Sequence, residues 1–364
     1  MTGDARECLP GTVLLERCYP RIIMSEKMNR RKFVKTTVLG ASVVTAAGVT
    51  AVSGHADDSD NYDAIPNHQW SAAMRTSGGT LAKEPLTPLV KKREIPTGTI
   101  GCMTISRMIL GGNILTSATH ARDLHYVSRL AGHYNTPQKV HETMRLAEEY
   151  GINTICIHAG PGVVASLKEY KKRGGTIQSI VCPTAPIQGD LEDYTEACRL
   201  CVDAGIEALY LWGAYSDQLF ESQPEMFRRV VNTMRSFGVP VGVGAHNLKV
   251  VEFCEQEKVK ADFYIKTFHH HNYPSAKLNY DSSWCDDPEK HIEVFSRIEK
   301  PWIAFKVMAA GAIPPRDALE YAFTHGADFT LFGMLDFEID EDTRLLNEVL
   351  ALDSVKNRAR KWFG

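Results

Sequence analysis

The sequence lacks the features that would announce a function at once. Long hydrophobic runs are missing: the apolar stretch from Thr36 to Val52 is diluted by glycine, alanine and threonine. It falls short of the roughly 20 strongly apolar residues that a spanning helix needs. Nine cysteines in 364 residues are too few and too scattered for a disulfide framework. Cys198-Arg-Leu-Cys201 has redox spacing, but it sits inside an expected helix from Asp190 to Ala204, away from the strand-to-helix starts that lower a thiol pKa. A second CxxC, which a zinc ribbon requires, is absent. A formal net charge of -3 provides no basic surface for nucleic acid. What remains is ordinary for a globular chain: 44% hydrophobic and 23% charged residues, enough for one large core.

The first 56 residues read as something other than fold. Asn29-Arg30-Arg31-Lys32-Phe33 precedes the weak apolar run, and Ser53-Gly54-His55-Ala56 follows it before an acidic pair. This resembles a bacterial twin-arginine export signal, with a charged region, a weak apolar region and small residues at the cleavage site. The resemblance implies an exported protein, periplasmic or in the cell envelope. It also implies the twin-arginine export machinery as a partner and no stable membrane span in the mature chain. Such proteins cross folded, often with a metal or nucleotide already loaded. Met28 directly precedes the motif, so translation starts at Met1 or at Met28. Residues 57–92 are polar and carry Pro66, Pro85 and Pro88, as a linker does. The folded domain is expected over 93–364.

Within that domain, short apolar runs alternate with amphipathic stretches. Strands are expected at Met108 to Gly112, Thr154 to His158, Ile177 to Cys182, Ala208 to Trp212, Val239 to Ala245, Asp262 to Thr267, Trp302 to Val307 and Asp328 to Gly333. Thr136-Pro137 opens a helix ending at Tyr150-Gly151, Asp287-Pro288 opens one running to about Lys300, and Pro314-Pro315 opens one closing near His325-Gly326. Eight such units predict an α/β (β/α)8 TIM barrel. An open doubly wound sheet is disfavoured because no GxGxxG follows the first strand.

In a TIM barrel, residues at strand C-termini face the active side. The expected strands deliver Asn113, His158, Trp212, His246 with Asn247, Lys266 with His269, His270 and His271, Lys306, and Asp336 to that side. Polar groups at the same end of so many strands would each need a buried partner in a packed core, which argues for a site. Two long loops fall on the same face: Ile114 to Asn135, with His120, His125 and His133, and His271 to Asp286, with Tyr273, Tyr280 and Trp284. Loops of this length commonly serve as lids.

Several segments carry a family resemblance. Residues 94–100, 105–113 and 146–154, with Val241-Gly-Val-Gly-Ala-His246-Asn247, are similar to the hairpin, the early strands and the fifth strand of aldo-keto reductases. The likeness covers most of residues 93–335. The family's catalytic groups do not map: its strand-two aspartate falls on Cys156, its strand-three lysine near Val181 or Cys182, and its strand-four histidine near Trp212 or Gly213. Where the family holds the cofactor's 2′-phosphate with basic groups, this chain has the acidic run 336–342, which repels a phosphate. The chain also resembles uncharacterised exported bacterial barrel proteins.

Three functional readings follow. The first is an exported enzyme acting on a small polar substrate, with lyase, isomerase or hydrolase chemistry ahead of oxidoreduction. Lys266, Lys306, Asp336 and His158 would be its catalytic groups, and Asn113, Trp212, Asn247 and Tyr273 would bind substrate. His158, His246, His269 and His270 are of a type to hold a divalent zinc, iron or manganese ion. If Lys266 and Lys306 share parity with Tyr264 and Ala304 and face the mouth, each lowers the other's pKa, and a neutral amine there can form a Schiff base. The second reading is an NADPH-linked reductase with a rearranged tetrad. The third is a non-catalytic small-molecule binding protein.

Overall fold

Eight of the apolar runs become parallel strands that close on themselves. The computed structural model describes residues 84–278 and 280–364, so the expected export signal over 1–56 and residues 57–83 of the expected linker lie outside the described residues. A short antiparallel hairpin, β1 (Thr97–Ile100) and β2 (Met103–Ser106), comes first. The barrel strands are β3 (Met108–Gly111), β4 (Thr154–Ala159), β5 (Gln178–Pro183), β6 (Ala208–Leu211), β7 (Val241–Ala245), β8 (Phe263–Thr267), β9 (Trp302–Phe305) and β10 (Phe329–Phe332). They are paired in chain order, and β10 closes the ring against β3 with Thr330 opposite Met108. The eight expected strands are therefore the eight barrel strands, with ends shifted by one or two residues.

Alternation along each strand sorts side chains into two cores. Ile109, Cys156, Ile180, Phe263, Ile303 and Phe329 pack inside the barrel, and Ile100, Met103 and Ile105 of the hairpin plug its N-terminal end. Residues of the other parity, among them Leu110, Ile155, Val181, Tyr264 and Ala304, face the surrounding helices. The interior is crowded enough to dictate backbone. A Cβ at Gly242 would lie 2.3 Å from the ring of Phe263, so the ring occupies the space a side chain would need. Burying such a ring stabilises by about 1.5–3 kcal/mol.

Helix boundaries follow their punctuation. Pro137–Glu149 begins behind Thr136, whose hydroxyl accepts the Lys139 N–H at 3.2 Å. Pro288–Phe295 begins behind Asp287, whose carboxylate accepts the Lys290 N–H at 3.0 Å. It ends at Phe295, five residues short of the expected Lys300. Residues expected to belong to the linker touch the barrel: the Leu86 N–H donates to the Arg173 carbonyl at 2.7 Å and the Lys92 N–H to the Glu149 carbonyl at 2.6 Å. No helix among the described residues is long and apolar enough to cross a membrane.

The C-terminal segment locks the base of the barrel. Asp328, fully buried just ahead of β10, accepts from Arg358 Nη2 at 3.0 Å, Arg360 Nη1 at 2.7 Å and the backbone N–H groups of Trp302 and Phe363 at 2.9 and 2.8 Å. Arg107 donates to the Asp328 carbonyl at 3.0 Å and to the Gly364 carbonyl at 3.2 Å. The guanidinium groups of Arg358 and Arg107 lie 3.4 and 4.4 Å from the ring centre of Trp362.

Candidate functional site

A cavity of about 750 Å³ opens at the C-terminal mouth of the barrel. Its floor is made by inward-facing residues of three adjacent strands: Cys156, Cys182 and Tyr210. The Tyr210 hydroxyl hydrogen-bonds with both thiols, and burial holds its pKa well above the usual phenol value, so this floor is neutral. Burial likewise pushes the Cys182 thiol up to about 12.

Above the floor stands an oriented imidazole. His246, just past β7, places Nδ1 2.8 Å from Asp217 Oδ2. The same carboxylate accepts the His246 N–H from both oxygens at 3.1 Å and the Asn247 N–H at 3.0 Å. With Asp217 as acceptor, the proton sits on Nδ1 and Nε2 keeps its lone pair. Burial and the nearby Lys306 charge lower the pKa of His246, while Asp217 works in the opposite direction. His158, at the end of β4, lines the same cavity and has no side-chain hydrogen bond among the described residues. Burial takes its pKa down to about 4, so it too is a neutral base near pH 7.

Lys306 supplies positive charge. Strand β9 ends at Phe305, and Lys306 adopts a left-handed φ of 58°, followed by left-handed Ala309, Ala310 and Gly311. The ammonium donates to the Ser282 hydroxyl and to the Ser283 carbonyl (3.0 Å) and lies 5.3 Å from the Trp284 ring centre. Its field, after burial, helps drive His120 down to about 2.

The two long loops interlock over the mouth. Arg122, left-handed at φ 61°, donates to the Ser275 carbonyl at 2.6 Å, and its guanidinium lies 4.9 Å from the ring centres of Tyr280 and Trp284. Ala121 donates its N–H to Asp281 at 2.6 Å, and His120 Nε2 meets the Ser282 hydroxyl at 3.2 Å.

The expected site residues divide. Asn113, His158, Trp212, His246 and Lys306 line the cavity. Lys266 does not: it shares parity with Tyr264, and that parity faces the helices. It is fully buried there, donating to the carbonyls of His246 (2.6 Å) and Thr267 (3.1 Å), and burial lowers its pKa to about 8. Asp336 also stands apart, accepting from Tyr134 at 2.6 Å and Lys139 at 3.2 Å, and Glu338 reaches the cavity instead. Asn247 caps the helix Leu248–Gln256 and is exposed. Tyr273 packs its ring against Arg122 and His269.

The anticipated four-histidine metal set is split in the same way. His269 Nε2 accepts the Cys285 N–H at 3.0 Å, and His270 Nε2 meets Asp317 Oδ2 at 3.2 Å, so these rings fasten loops outside the cavity. Sequence reading passed over Asp217 and Tyr210. Asp217 lies in the helix Gly213–Ser222, where an acidic residue reads as a solvated face.

No family model and no curated protein matches the chain. Solved structures similar to it are aldo-keto reductases and other TIM-barrel enzymes. They include a holo-form aldo-keto reductase from Bacillus halodurans (8% identity, covering 74% of this chain and 100% of that one, TM-score 0.48). An aldo/keto reductase from Brucella melitensis follows at 11% identity, 72% and 97% coverage and TM-score 0.47. A truncated 3-deoxy-D-arabino-heptulosonate 7-phosphate synthase from Thermotoga maritima has 8% identity, 71% and 92% coverage and TM-score 0.45. At such identities the likeness is one of fold. After β10, Asp336 is committed to Tyr134 and Lys139, and burial together with the charges of Glu338 and Glu341 raises the pKa of Asp342 to about 7.

Proposed function

We propose that the barrel mouth is the active site of an enzyme that moves protons on a small organic anion. The observation that carries this reading is the Asp217–His246 pair, 2.8 Å apart, at the rim of a 750 Å³ cavity that Lys306 also lines. A neutral imidazole whose tautomer is fixed by a carboxylate is suited to general base and then general acid work. Lys306 would attract the substrate's anionic group or steady negative charge that develops on an oxygen during reaction. Asn113 offers a hydrogen bond, and Trp212 and the interlocked loops would exclude water. His158 is placed to act as a second base. Among lysines, the electrostatic role falls to Lys306, because Lys266 spends its donors on backbone carbonyls behind the barrel wall.

The test is a thermal-shift screen of the folded domain against small carboxylates, sugar acids and their neutral amides, followed by proton–deuterium exchange on any binder. A carboxylate should raise the melting temperature where its amide does not. Lys306→Met should remove that preference. His246→Gln should retain binding and lose exchange at least about a hundredfold, the usual contribution of a positioned base. Binding without exchange in the native chain would favour the non-catalytic binding protein. Equal shifts with acid and amide would defeat the assigned role of Lys306.

A further inference from the structure

A second cluster of ligating side chains lies behind the barrel wall, at the end of the loop that holds Lys306. Cys285, Asp286 and His291 each place a ligand atom so that all three lie within 4.8 Å of one another. His291 is fully buried, and its Nδ1–H donates to the Asp287 carbonyl at 2.5 Å. That bond fixes the tautomer and leaves Nε2 as a bare lone pair. Nε2 has no hydrogen-bond partner among the described residues, and Asp286 Oδ1 is 3.9 Å away. A buried acceptor left without a donor is a lone pair open to a ligand.

The thiol is equally constrained. Cys285 is 3% exposed, with its N–H held by His269 Nε2 at 3.0 Å and its carbonyl bonded to His271 Nε2 at 2.6 Å. Its Sγ lies 4.0 Å from His291 Nδ1. Asp286 is largely in solvent and gives the cluster an entry route.

We propose that Cys285, Asp286 and His291 form a binding site for a zinc-type divalent cation that fastens the loop 271–286 to the helix Pro288–Phe295. Thiolate, imidazole and carboxylate together suit a borderline cation in tetrahedral geometry, with water as fourth ligand. Bonds of about 2.0–2.3 Å place tetrahedral ligands roughly 3.3–3.8 Å apart, so the present spacings need only a small contraction. The cation would take the Nε2 lone pair and replace the thiol proton. It would also fix the segment whose Ser282, Ser283 and Trp284 contact Lys306. This site is separate from the cavity, and the proposal stands whether or not the cavity is catalytic.

The experiment is titration of chelator-stripped full-length protein with Zn2+ and with Co2+. One equivalent should bind at micromolar concentration or below, and Co2+ should give a thiolate-to-metal charge-transfer absorption. Cys285→Ala and His291→Ala should abolish binding, while His158→Gln should leave it intact. Should those two core variants fail to fold, Asp286→Asn decides, because its side chain is mostly in solvent: affinity should fall at least about tenfold. Proteolysis within 271–286 should quicken with chelator and slow with metal. Failure to bind either ion at micromolar concentration, a Co2+ complex lacking the thiolate band, or unchanged affinity in Asp286→Asn would each overturn the proposal.

Discussion

His246 keeps its orientation partly because of what position 213 lacks. A Cβ built on Gly213 would lie 3.0 Å from His246 Cε1 and 3.2 Å from Nδ1, tighter than an imidazole tolerates without turning. Gly213 also opens a helix, where alanine is intrinsically better than glycine by up to about 1 kcal/mol. These effects oppose each other in stability but not in function. Gly213→Ala should therefore melt within a few degrees of the native chain while losing most of the proton exchange that depends on the Asp217 contact. Full exchange in that variant would show that the imidazole's placement does not matter. Strand-end position was enough to place Asn113, His158, Trp212 and His246 along the cavity. It misplaced Lys266, because parity with Tyr264 points outward, and it found Lys306 for the wrong reason. Ala304 also faces the helices, and only the left-handed turn at Lys306 brings that side chain back to the mouth. No residue type at 306 signals such a turn.

At the scale of elements, apolar periodicity made all eight strands legible, whereas the C-terminal lock left no trace in the sequence. The meaning of Arg358, Arg360 and Trp362 lies in Asp328, which is distant in sequence and fully buried. Removing one member of a buried ion network strands the others, at about 3–5 kcal/mol. Asp328→Asn should cost that much in denaturant unfolding and lower the melting temperature by roughly 10 °C. It should leave carboxylate binding at the opposite end unchanged. A loss below about 1 kcal/mol would mean that the arginines reach water in the folded state. The histidine triplet teaches the same lesson. A run of three imidazoles suggests ligands, yet His269 and His271 grip the backbone of Cys285 and His270 meets Asp317.

For the whole molecule, the count of buried neutral imidazoles sets the response to acid. Burial holds His141, His158, His269 and His291 near 4 and His120 near 2. Below about pH 6.5 the unfolded chain gains protons that these five sites refuse, so stability falls as pH drops from 6.5 towards 4. Asp342 acts in the opposite sense: raised to about 7, it keeps a proton between pH 4 and 7 that the unfolded chain has released. With His246, whose pKa burial also lowers, these imidazoles outnumber Asp342 and leave a net loss. At about 1.4 kcal/mol per proton per pH unit, it reaches several kcal/mol by pH 5, comparable with the 5–15 kcal/mol that holds a typical domain together. The urea midpoint should be clearly lower at pH 5 than at pH 7.5, and equal midpoints would contradict the buried neutral state. The ring closure of β10 on β3 carries a consequence in time. Met108 and Thr330 are neighbours in space, but Thr330 is made about 220 residues later. At roughly 5–20 residues per second, β3 waits on the order of ten to forty seconds during synthesis with its outer edge unpaired. A nascent chain of this protein thus offers an open strand edge to any other strand nearby, and chaperone occupancy should be highest before β10 emerges.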